Sequence, residues 1–481
     1  MRSTLLAGAS VLLLSGCATT GPAPQAKATQ TQSSADTRAR NIIFFLGDGM
    51  GINTLTAARI YAVGEDGELT IDTLPESAFV KTFSNDAQVT DSAASMSAYM
   101  TGVKQNNGVI SMSSDTKSIS PAADANGNKQ LSRCENGRAM PTLAELAKAR
   151  GMAAGVVTTT SVTDATPAAT YAHACHRKVE SDIAAALVPG GLGYNAALGA
   201  NGLDLVFGGG AQFFAPVAQG GKRADGRNLV AELQAQGWRY AADTQQMQAL
   251  SPSAQPALGL FAQNHLAYEA ARDAAKQPAL ADMTAKAIDI LSRNPNGFFL
   301  MVEGGLIDHA LHATLAKRAL QETVAYNAAL KTAIDKMHAI DPGLKHTLIV
   351  ATADHDHTLL INGYSPRTGK TTPTNPGVLG LVRSLPDNAV RLDRDGAPFT
   401  ILGFGTGEHR VQGNRKDVKL TDEMAASDDF HQEAVVRTRT GAETHGGADV
   451  YLGAIGANAE LFRGTIDNTR VFNLIKTAGD L

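Results

Sequence analysis

The stretch Asn41-Ile-Ile-Phe-Phe-Leu-Gly-Asp48-Gly-Met-Gly decides the fold of this chain. A short run of β-branched and aromatic residues that ends in glycines predicts a buried strand. The pattern over Gly51–Ala62 predicts a helix directly after it, so the stretch opens an α/β unit. Asp48 is a lone carboxylate at the end of the run, where ligands of open α/β sheets bind.

The same alternation of strand-like runs and helical patterns continues along the chain. Further strands are predicted at Ala153–Thr159, Asp204–Phe207, Gly297–Val302, His346–Ala351, Pro398–Leu402 and Asp449–Leu452. Further helices are predicted at Ser92–Tyr99, Pro141–Ala149, Leu280–Leu291, His309–Met337 and Thr465–Thr477. Such alternation is typical of a parallel sheet with helices on both faces. We therefore expect a three-layer α/β/α sandwich with a large, mostly parallel central sheet.

Two irregular stretches interrupt this alternation. Residues 104–130 are polar and rich in Asn, Ser and Gly, and residues 362–442 carry many Gly, Pro and charged residues. We expect both to be surface insertions on one catalytic domain at residues 40–481. The second is long enough to form a small subdomain.

The composition limits the classes of function. The chain has 481 residues, of which 43% are hydrophobic and 18% charged, and its formal net charge is −4. These values are typical of a globular protein with ample material for a core. The weak negative charge argues against binding to nucleic acid or to an anionic membrane surface through a basic patch.

The N-terminus predicts export. Met1-Arg2 is followed by an apolar run over Leu5–Leu14 and by Leu14-Ser-Gly-Cys17, which resembles the lipobox of bacterial lipoproteins. We expect a signal peptide at residues 1–16, a lipid on Cys17 and a flexible tether at residues 17–39. The protein would then be a membrane-anchored lipoprotein of the bacterial periplasm or cell surface. The alternative is an ordinary secretory peptide cut elsewhere, for example after Ala18.

Two further cysteines remain, Cys134 and Cys175. In an exported protein an even pair favours a disulfide over a metal site. The alternative is two buried free thiols.

The segment Thr90-Asp91-Ser92-Ala93-Ala94-Ser95 places a hydroxyl nucleophile among residues that can bind metal. A free serine hydroxyl is a poor nucleophile at neutral pH, and coordination to a cation can activate it. The chain therefore predicts metal-assisted group transfer.

Candidate metal ligands follow the predicted strands. Asp308 and His312 lie at positions i and i+4 of a helix, where their side chains share one face. Taken alone this spacing indicates only a solvated ion pair, and His445 in its glycine loop is equally unspecific. Several such groups at one sheet edge favour a metal site over unrelated ion pairs. Imidazoles with carboxylates suit zinc, whereas an all-oxygen set such as Asp48, Thr166 and Glu303 suits magnesium.

Five short motifs in order carry a resemblance to a known family. They are Asp-Gly-Met-Gly, Thr-Asp-Ser-Ala, Ala-Thr-Pro-Ala, Thr-Ala-Asp-His and Glu-Thr-His-Gly-Gly, spread from Asn41 to about Ala478. Jointly they resemble alkaline phosphatase, the metal-dependent phosphomonoesterase. The resemblance implies small phosphomonoester substrates, a phosphoserine intermediate and a homodimer.

The resemblance also implies a role for each motif residue. It implies a first zinc held by Asp308, His312 and His445, a second zinc held by Asp48, Ser92, Asp354 and His355, and a magnesium held by Asp48, Thr166 and Glu303. Arg177 corresponds to the family's phosphate-binding arginine and Asp91 to the residue that orients it. A guanidinium fork suits two phosphoryl oxygens.

The family's variable pair is mixed in this chain. Asp164 agrees with the enterobacterial type, whereas His309 replaces its lysine and agrees with the animal enzymes. Both are expected to contact substrate, and the identity of the third metal is open. Four further residues receive no catalytic role and are taken as structural or outer-shell: His173, His176, Asp356 and His357.

Two other functions compete with this prediction. One is a phosphodiesterase or sulfatase of the same superfamily. Ser92-Ala-Ala-Ser-Met lacks the sulfatase pattern, however, and Thr166 and Glu303 supply a third-site pattern that diesterases lack. The other is an inactive surface lipoprotein that binds phosphate, although such a protein has no need of so many polar groups at one sheet edge.

Overall fold

The computed structural model describes residues 38–122, 134–439 and 441–481. Its strands are β1 Asn41–Gly47, β2 Glu76–Lys81, β3 Ala153–Ser161, β4 Leu205–Gly209, β5 Arg239–Ala241, β6 Ala257–Leu260, β7 Phe298–Gly304, β8 Thr347–Ala353, β9 Asp356–His357, β10 Leu359–Ile361, β11 Leu402–Gly407, β12 Ala434–Arg437, β13 His445–Gly446, β14 Val450–Gly456 and β15 Gly464–Asp467. Its α-helices are α1 Ile52–Val63, α2 Ser92–Thr101, α3 Leu143–Ala149, α4 Ala165–Tyr171, α5 Glu180–Ala185, α6 Leu229–Ala235, α7 Thr244–Ala249, α8 Leu280–Leu291, α9 Leu306–His312, α10 Ala316–Ile340, α11 Asp422–Ala425 and α12 Asn468–Gly479.

Ten strands form one central sheet in the order β15-β2-β14-β8-β1-β7-β3-β4-β6-β5. Among these described strands only β14 runs antiparallel to its two neighbours, β8 and β2. The register pairs Leu46 of β1 with Glu303 of β7 and with Thr352 of β8. The carboxyl ends of these three strands therefore lie side by side at one edge of the sheet.

Helices cover both faces of this sheet. Phe44 and Phe45 are consecutive in β1, so their side chains point to opposite faces. The ring of Phe44 contacts Tyr99 of α2 at 5.4 Å between centroids, and the ring of Phe45 contacts Tyr326 of α10 at 5.8 Å. All four rings are fully buried. The prediction of a three-layer α/β/α sandwich is confirmed.

Three predicted elements were wrong in their extent. The helix expected at His309–Met337 is two helices, α9 and α10, because Thr314 between them has a left-handed backbone with φ +55°. Residues 464–467 form β15, and α12 begins only after Asp467, whose carboxylate caps it. The strand expected at Pro398–Leu402 begins at Leu402, and it belongs to a separate sheet β10-β11-β12.

Both insertions are partly exposed and partly buried. Residues 362–442 include most of that three-stranded sheet and carry several exposed apolar side chains, among them Tyr364 and Leu385. Residues 108–113 of the first insertion and residues 377–382 of the second are nevertheless buried, so the expected position on the surface was wrong for these parts.

The N-terminal predictions fall on residues that the structure does not describe. The signal peptide at residues 1–16, Cys17 and the tether up to residue 37 lie outside the described ranges. Within those ranges no helix combines the length and the apolar character that crossing a membrane requires.

Candidate active site

Three buried carboxylates lie together at the carboxyl edge of the sheet. Asp48 follows β1, Asp354 follows β8 and Glu303 lies near the end of β7, with exposed fractions of 5%, 0% and 0%. Gly49 donates its backbone N–H to Asp354 Oδ1 at 2.9 Å. A side chain on Gly49 would meet the ring of His357, and its φ of +64° also favours glycine. The Asp-Gly pair therefore lets the backbone approach the site closely.

Ser92 is the first residue of α2, and its hydroxyl points at these carboxylates. Its Oγ lies 3.3 Å from Asp48 Oδ1 and 3.3 Å from His355 Nε2. Asp91 caps the helix by accepting the N–H of Ala94 at 3.0 Å. Because Ser92 begins a helix of ten residues, the helix dipole favours negative charge at its oxygen. The helix therefore favours an alkoxide on Ser92, whereas the charge of Asp48 opposes it unless a cation lies beside both oxygens.

A second cluster consists of Asp308, His312 and His445. The Nε2 atoms of the two histidines lie 3.1 Å apart, and Asp308 Oδ1 lies 3.3 Å from His312 and 3.5 Å from His445. Each histidine donates its Nδ1–H to a backbone carbonyl, at Glu443 for His312 and at Thr90 for His445. The lone pairs of both Nε2 atoms therefore face each other beside a carboxylate, an arrangement that a cation stabilises.

His357 belongs to the same cluster, although the sequence analysis gave it no catalytic role. Its Nε2 lies 2.8 Å from Asp308 Oδ1, and its Nδ1 contacts Glu443. Burial lowers the pKa of His357, but the hydrogen bonds to Asp308 and Glu443 outweigh it and raise the pKa to about 10. The alternation Asp354-His-Asp-His357 was the available signal, because residues two apart in extended backbone share a side.

The third group of predicted ligands is made of oxygens. Thr166 Oγ1 lies 3.4 Å from Asp48 Oδ2. Glu303 accepts hydrogen bonds at Oε2 from Thr158 and Thr160, while its buried Oε1 has no partner. Burial, and then the charge of Asp48, raise the pKa of Glu303 well above its usual value. An unpartnered carboxylate oxygen beside another carboxylate fits a hard cation.

Arg177 is held between two carboxylates at the mouth of the site. Its Nη1 donates to Asp91 Oδ2 at 3.1 Å and its Nη2 to Asp164 Oδ1 at 3.2 Å, while Nε is buried without a partner. Burial opposes its charge, but Asp91 and Asp164 raise the pKa of the guanidinium above its usual value. The fork is therefore charged and oriented, as recognition of phosphoryl oxygens requires.

Asp164 and His309, the variable pair, lie beside a further histidine, His265, that the sequence did not predict as part of the site. His309 Nε2 lies 4.0 Å from Asp164 Oδ2, and His265 Nδ1 lies 3.9 Å from the same oxygen. The His265 and His309 rings meet edge to face at 4.4 Å. His265 Nδ1 accepts the N–H of Ser161 at 3.1 Å, and burial lowers its pKa to about 4. A lone histidine after β6 carried no signal in the sequence.

The remaining candidates lie outside these clusters. His173 contacts Glu145 at 2.6 Å and the carbonyl of Ser111 at 2.8 Å, so it has a structural environment. Asp356 is buried beside Gly51, and the ring of His176 accepts the N–H of Lys178. Cys134 and Cys175 form a disulfide with 5.6 Å between their Cα atoms.

Comparisons with known proteins agree with this geometry. Residues 39–481 match the family model of alkaline phosphatase. The chain is 36% identical to the alkaline phosphatase of Gadus morhua, covering 91% of each protein. It is 35% identical to the membrane-bound alkaline phosphatase of Bombyx mori, covering 90% of this chain and 78% of that protein. The fold is similar to that of the Thermus thermophilus alkaline phosphatase, with a TM-score of 0.65, 24% identity and 95% of each chain covered. The chain belongs to the alkaline phosphatase family, whose members are metal-dependent hydrolases of phosphate monoesters.

Proposed function

We propose that this chain hydrolyses phosphate monoesters through a phosphoserine on Ser92, with two zinc ions and one magnesium ion. The observation that carries the proposal is the position of the Ser92 hydroxyl, 3.3 Å from both Asp48 and His355 at the start of α2. A nucleophile, its activating groups and a charged phosphate-binding guanidinium meet at this edge of the sheet.

The donor atoms support the assignment of the metals. Imidazoles with carboxylates suit zinc, and this applies to the set Asp308, His312 and His445 and to the set Asp48, Ser92, Asp354 and His355. The oxygens of Asp48, Thr166 and Glu303 suit magnesium. When bound, the metals would supply Lewis-acid stabilisation of the attacking and leaving oxygens.

The residues of the chain would divide the remaining work. Arg177 binds the phosphoryl oxygens and holds phosphorus in line with Ser92 Oγ. The serine loses its proton along the hydrogen bond to Asp48, its Oγ forms a bond to phosphorus, and the bond to the alcohol oxygen breaks. The leaving alkoxide takes a proton from a water molecule, and the resulting hydroxide attacks phosphorus of the phosphoserine. The serine–phosphorus bond breaks, and Ser92 regains its proton from Asp48 as phosphate leaves.

Turnover of an aryl phosphate separates this function from its alternatives. We expect rapid release of the phenol from the monoester, little from the matching aryl diester or sulfate, and loss of activity with a chelator. A preference for the diester or the sulfate would favour another reaction of the superfamily. No turnover by the metal-loaded protein would favour an inactive phosphate-binding lipoprotein.

The charge at position 309 should tune the release of phosphate. His309→Lys places a cationic ammonium near Asp164 and the phosphate, whereas an imidazole is uncharged at alkaline pH. Above pH 8 we expect phosphate to inhibit the variant roughly tenfold more tightly and the maximal rate to fall where release limits turnover. The inhibition constant of phosphate from pH 7 to 10 is the measurement. His338→Lys, on the exposed end of α10, is the matched control. Equal constants for all three proteins would show that position 309 does not act through charge.

We also propose that the protein is a lipoprotein that Cys17 anchors to a membrane in the bacterial periplasm or on the cell surface. The lipobox-like Leu14-Ser-Gly-Cys17 supports this location. The Cys134–Cys175 disulfide also fits an oxidising compartment. A homodimer remains a proposal from family resemblance.

Mass spectrometry of the mature N-terminus tests the anchor. We expect a diacylglyceryl modification on Cys17 as the first residue, and Cys17→Ala should leave the precursor unprocessed. An unmodified start at Ala18 or later would contradict the lipid anchor and favour an ordinary secretory peptide.

A further inference from the structure

Arg177 lies in a short segment, residues 172–178, that directly follows helix α4 and is called the bend below. The backbone of this bend is attached to the first insertion. Ala174 and Ile110 exchange hydrogen bonds at 2.9 and 3.0 Å, and the Arg177 N–H donates to the carbonyl of Gly108 at 2.7 Å. Asp91 joins the same assembly, because it accepts the Gly108 N–H at 3.0 Å as well as the guanidinium. The direction of Arg177 therefore depends on the insertion.

A second segment, residues 134–140, lies outside the insertion and pairs with it. Ser113 donates its backbone N–H to the carbonyl of Arg138 at 2.8 Å, and Met140 donates its own to the carbonyl of Ser111 at 2.9 Å. Residues 134–140 thus pair with residues 111–117, and residues 108–110 pair with the bend. The Cys134–Cys175 disulfide connects residues 134–140 directly to the bend.

Cys175 lies between the two points at which the bend is attached, Ala174 and Arg177. Cys175 is 3% exposed, and Cys134 is half-buried. A covalent link at this point restricts the rotation of the three peptide units that join Ala174 to Arg177. Groups that bind a phosphoryl centre must be held closely, since an error of about 1 Å can cost up to a hundredfold in rate.

We propose that the Cys134–Cys175 disulfide is a positioning element for Arg177, which holds the guanidinium between Asp91 and Asp164 in readiness for the phosphoryl group. The inference rests on the proposed role of Arg177 in binding phosphate. It goes beyond a general cross-link, which would raise stability without acting on one particular side chain.

A double-mutant cycle tests this inference on the full-length, metal-loaded protein. The disulfide is removed in two ways: by Cys134→Ala or Cys175→Ala, and by treating the folded protein with a phosphine. A phosphine is preferred because dithiols bind zinc. Each form is made with Arg177 present and with Arg177→Ala. The readouts are KM and kcat for an aryl phosphate, the inhibition constant of inorganic phosphate, the metal content and the melting temperature.

With Arg177 present, we expect loss of the disulfide to raise KM and the phosphate inhibition constant roughly tenfold, with a smaller change in kcat. In the Arg177→Ala protein the same loss should change them by less than about twofold, because the group through which the disulfide acts is gone. Cys17→Ala is the matched control. It keeps the disulfide, and the chain has 3 cysteines in all, so without phosphine its KM, kcat and phosphate inhibition constant should match those of the wild type even though its N-terminus stays unprocessed.

Two results would overturn the inference. One is an equal effect of disulfide loss with and without Arg177. The other is a lower melting temperature with phosphate inhibition unchanged, which is the signature of a purely structural cross-link. If the cysteine variants do not fold, reduction of the folded protein still decides between these results. Failure of the proposed function is distinct, since the oxidised, metal-loaded protein would then have no turnover at all.

Discussion

Ser92→Ala is expected to lower the turnover of phosphate monoesters at least about a thousandfold, because it removes the proposed nucleophile. The variant should also fail to form an acid-stable phosphoserine after rapid quenching with radiolabelled substrate. Its zinc content should stay largely intact, since the serine is one ligand among several. Ser92 is buried and its hydroxyl contacts only polar groups of the site, so the loss of one oxygen leaves the core packing unchanged.

Ser97→Ala is the matched control for this experiment. Ser97 lies on the same helix, is fully buried, and accepts the backbone N–H of Ser111 at 2.8 Å. Its replacement should cost about 1–3 kcal/mol of stability and still allow labelling. A phosphoserine that persists in Ser92→Ala would show that another residue is the nucleophile.

Removal of the metals is expected to abolish turnover and to destabilise the fold most strongly at alkaline pH. In the metal-free protein, burial and then the charge of Asp48 raise the pKa of both Glu303 and Asp354 well above the usual value. In the unfolded chain both groups ionise near pH 4. Between these values the folded state binds more protons than the unfolded state. The metal-free protein therefore loses stability as the pH rises from the pKa that Glu303 and Asp354 have in the unfolded chain towards the higher pKa that they have in the folded protein.

Melting temperatures from pH 6 to 9, with and without chelator, measure this effect. Each metal at a hundredfold excess over its Kd stabilises the fold by about 2.7 kcal/mol, so the gap between loaded and metal-free protein should be several degrees and widen with pH. Zinc together with magnesium should restore both activity and melting temperature. Glu303→Gln should weaken the pH dependence of the metal-free protein, because it removes one of the two carboxylates. A gap that stays constant with pH would contradict the electrostatic explanation.

The sequence alone determined the three-layer α/β/α arrangement and the edge of the sheet at which the polar site residues lie. Ile42–Leu46 and Leu348–Ala351 are continuous, β-branched apolar stretches, which are typical of strands in a sheet that is covered on both faces. Because Asp48, Glu303 and Asp354 each follow such a run, their convergence at one edge follows from parallel pairing. These are local patterns with a fixed geometric consequence, and the register of β1 with β7 and β8 confirms that consequence.

Tertiary structure alone decided which histidines enter the site and where periodic patterns stop. His357 and His265 contact Asp308 and Asp164 through folding of distant segments. Nothing near His265 in the sequence marks it, and the alternation Asp354-His-Asp-His357 indicates the side on which His357 lies but not its partner. The helical pattern in the sequence continues across Thr314, and nothing in it predicts the break between α9 and α10. The break occurs where Thr314 has a left-handed backbone and its carbonyl accepts the N–H of Gln432 at 3.0 Å. Sequence periodicity records which face of an element is apolar. It does not record which polar groups approach from elsewhere, because that depends on contacts between residues far apart in the chain.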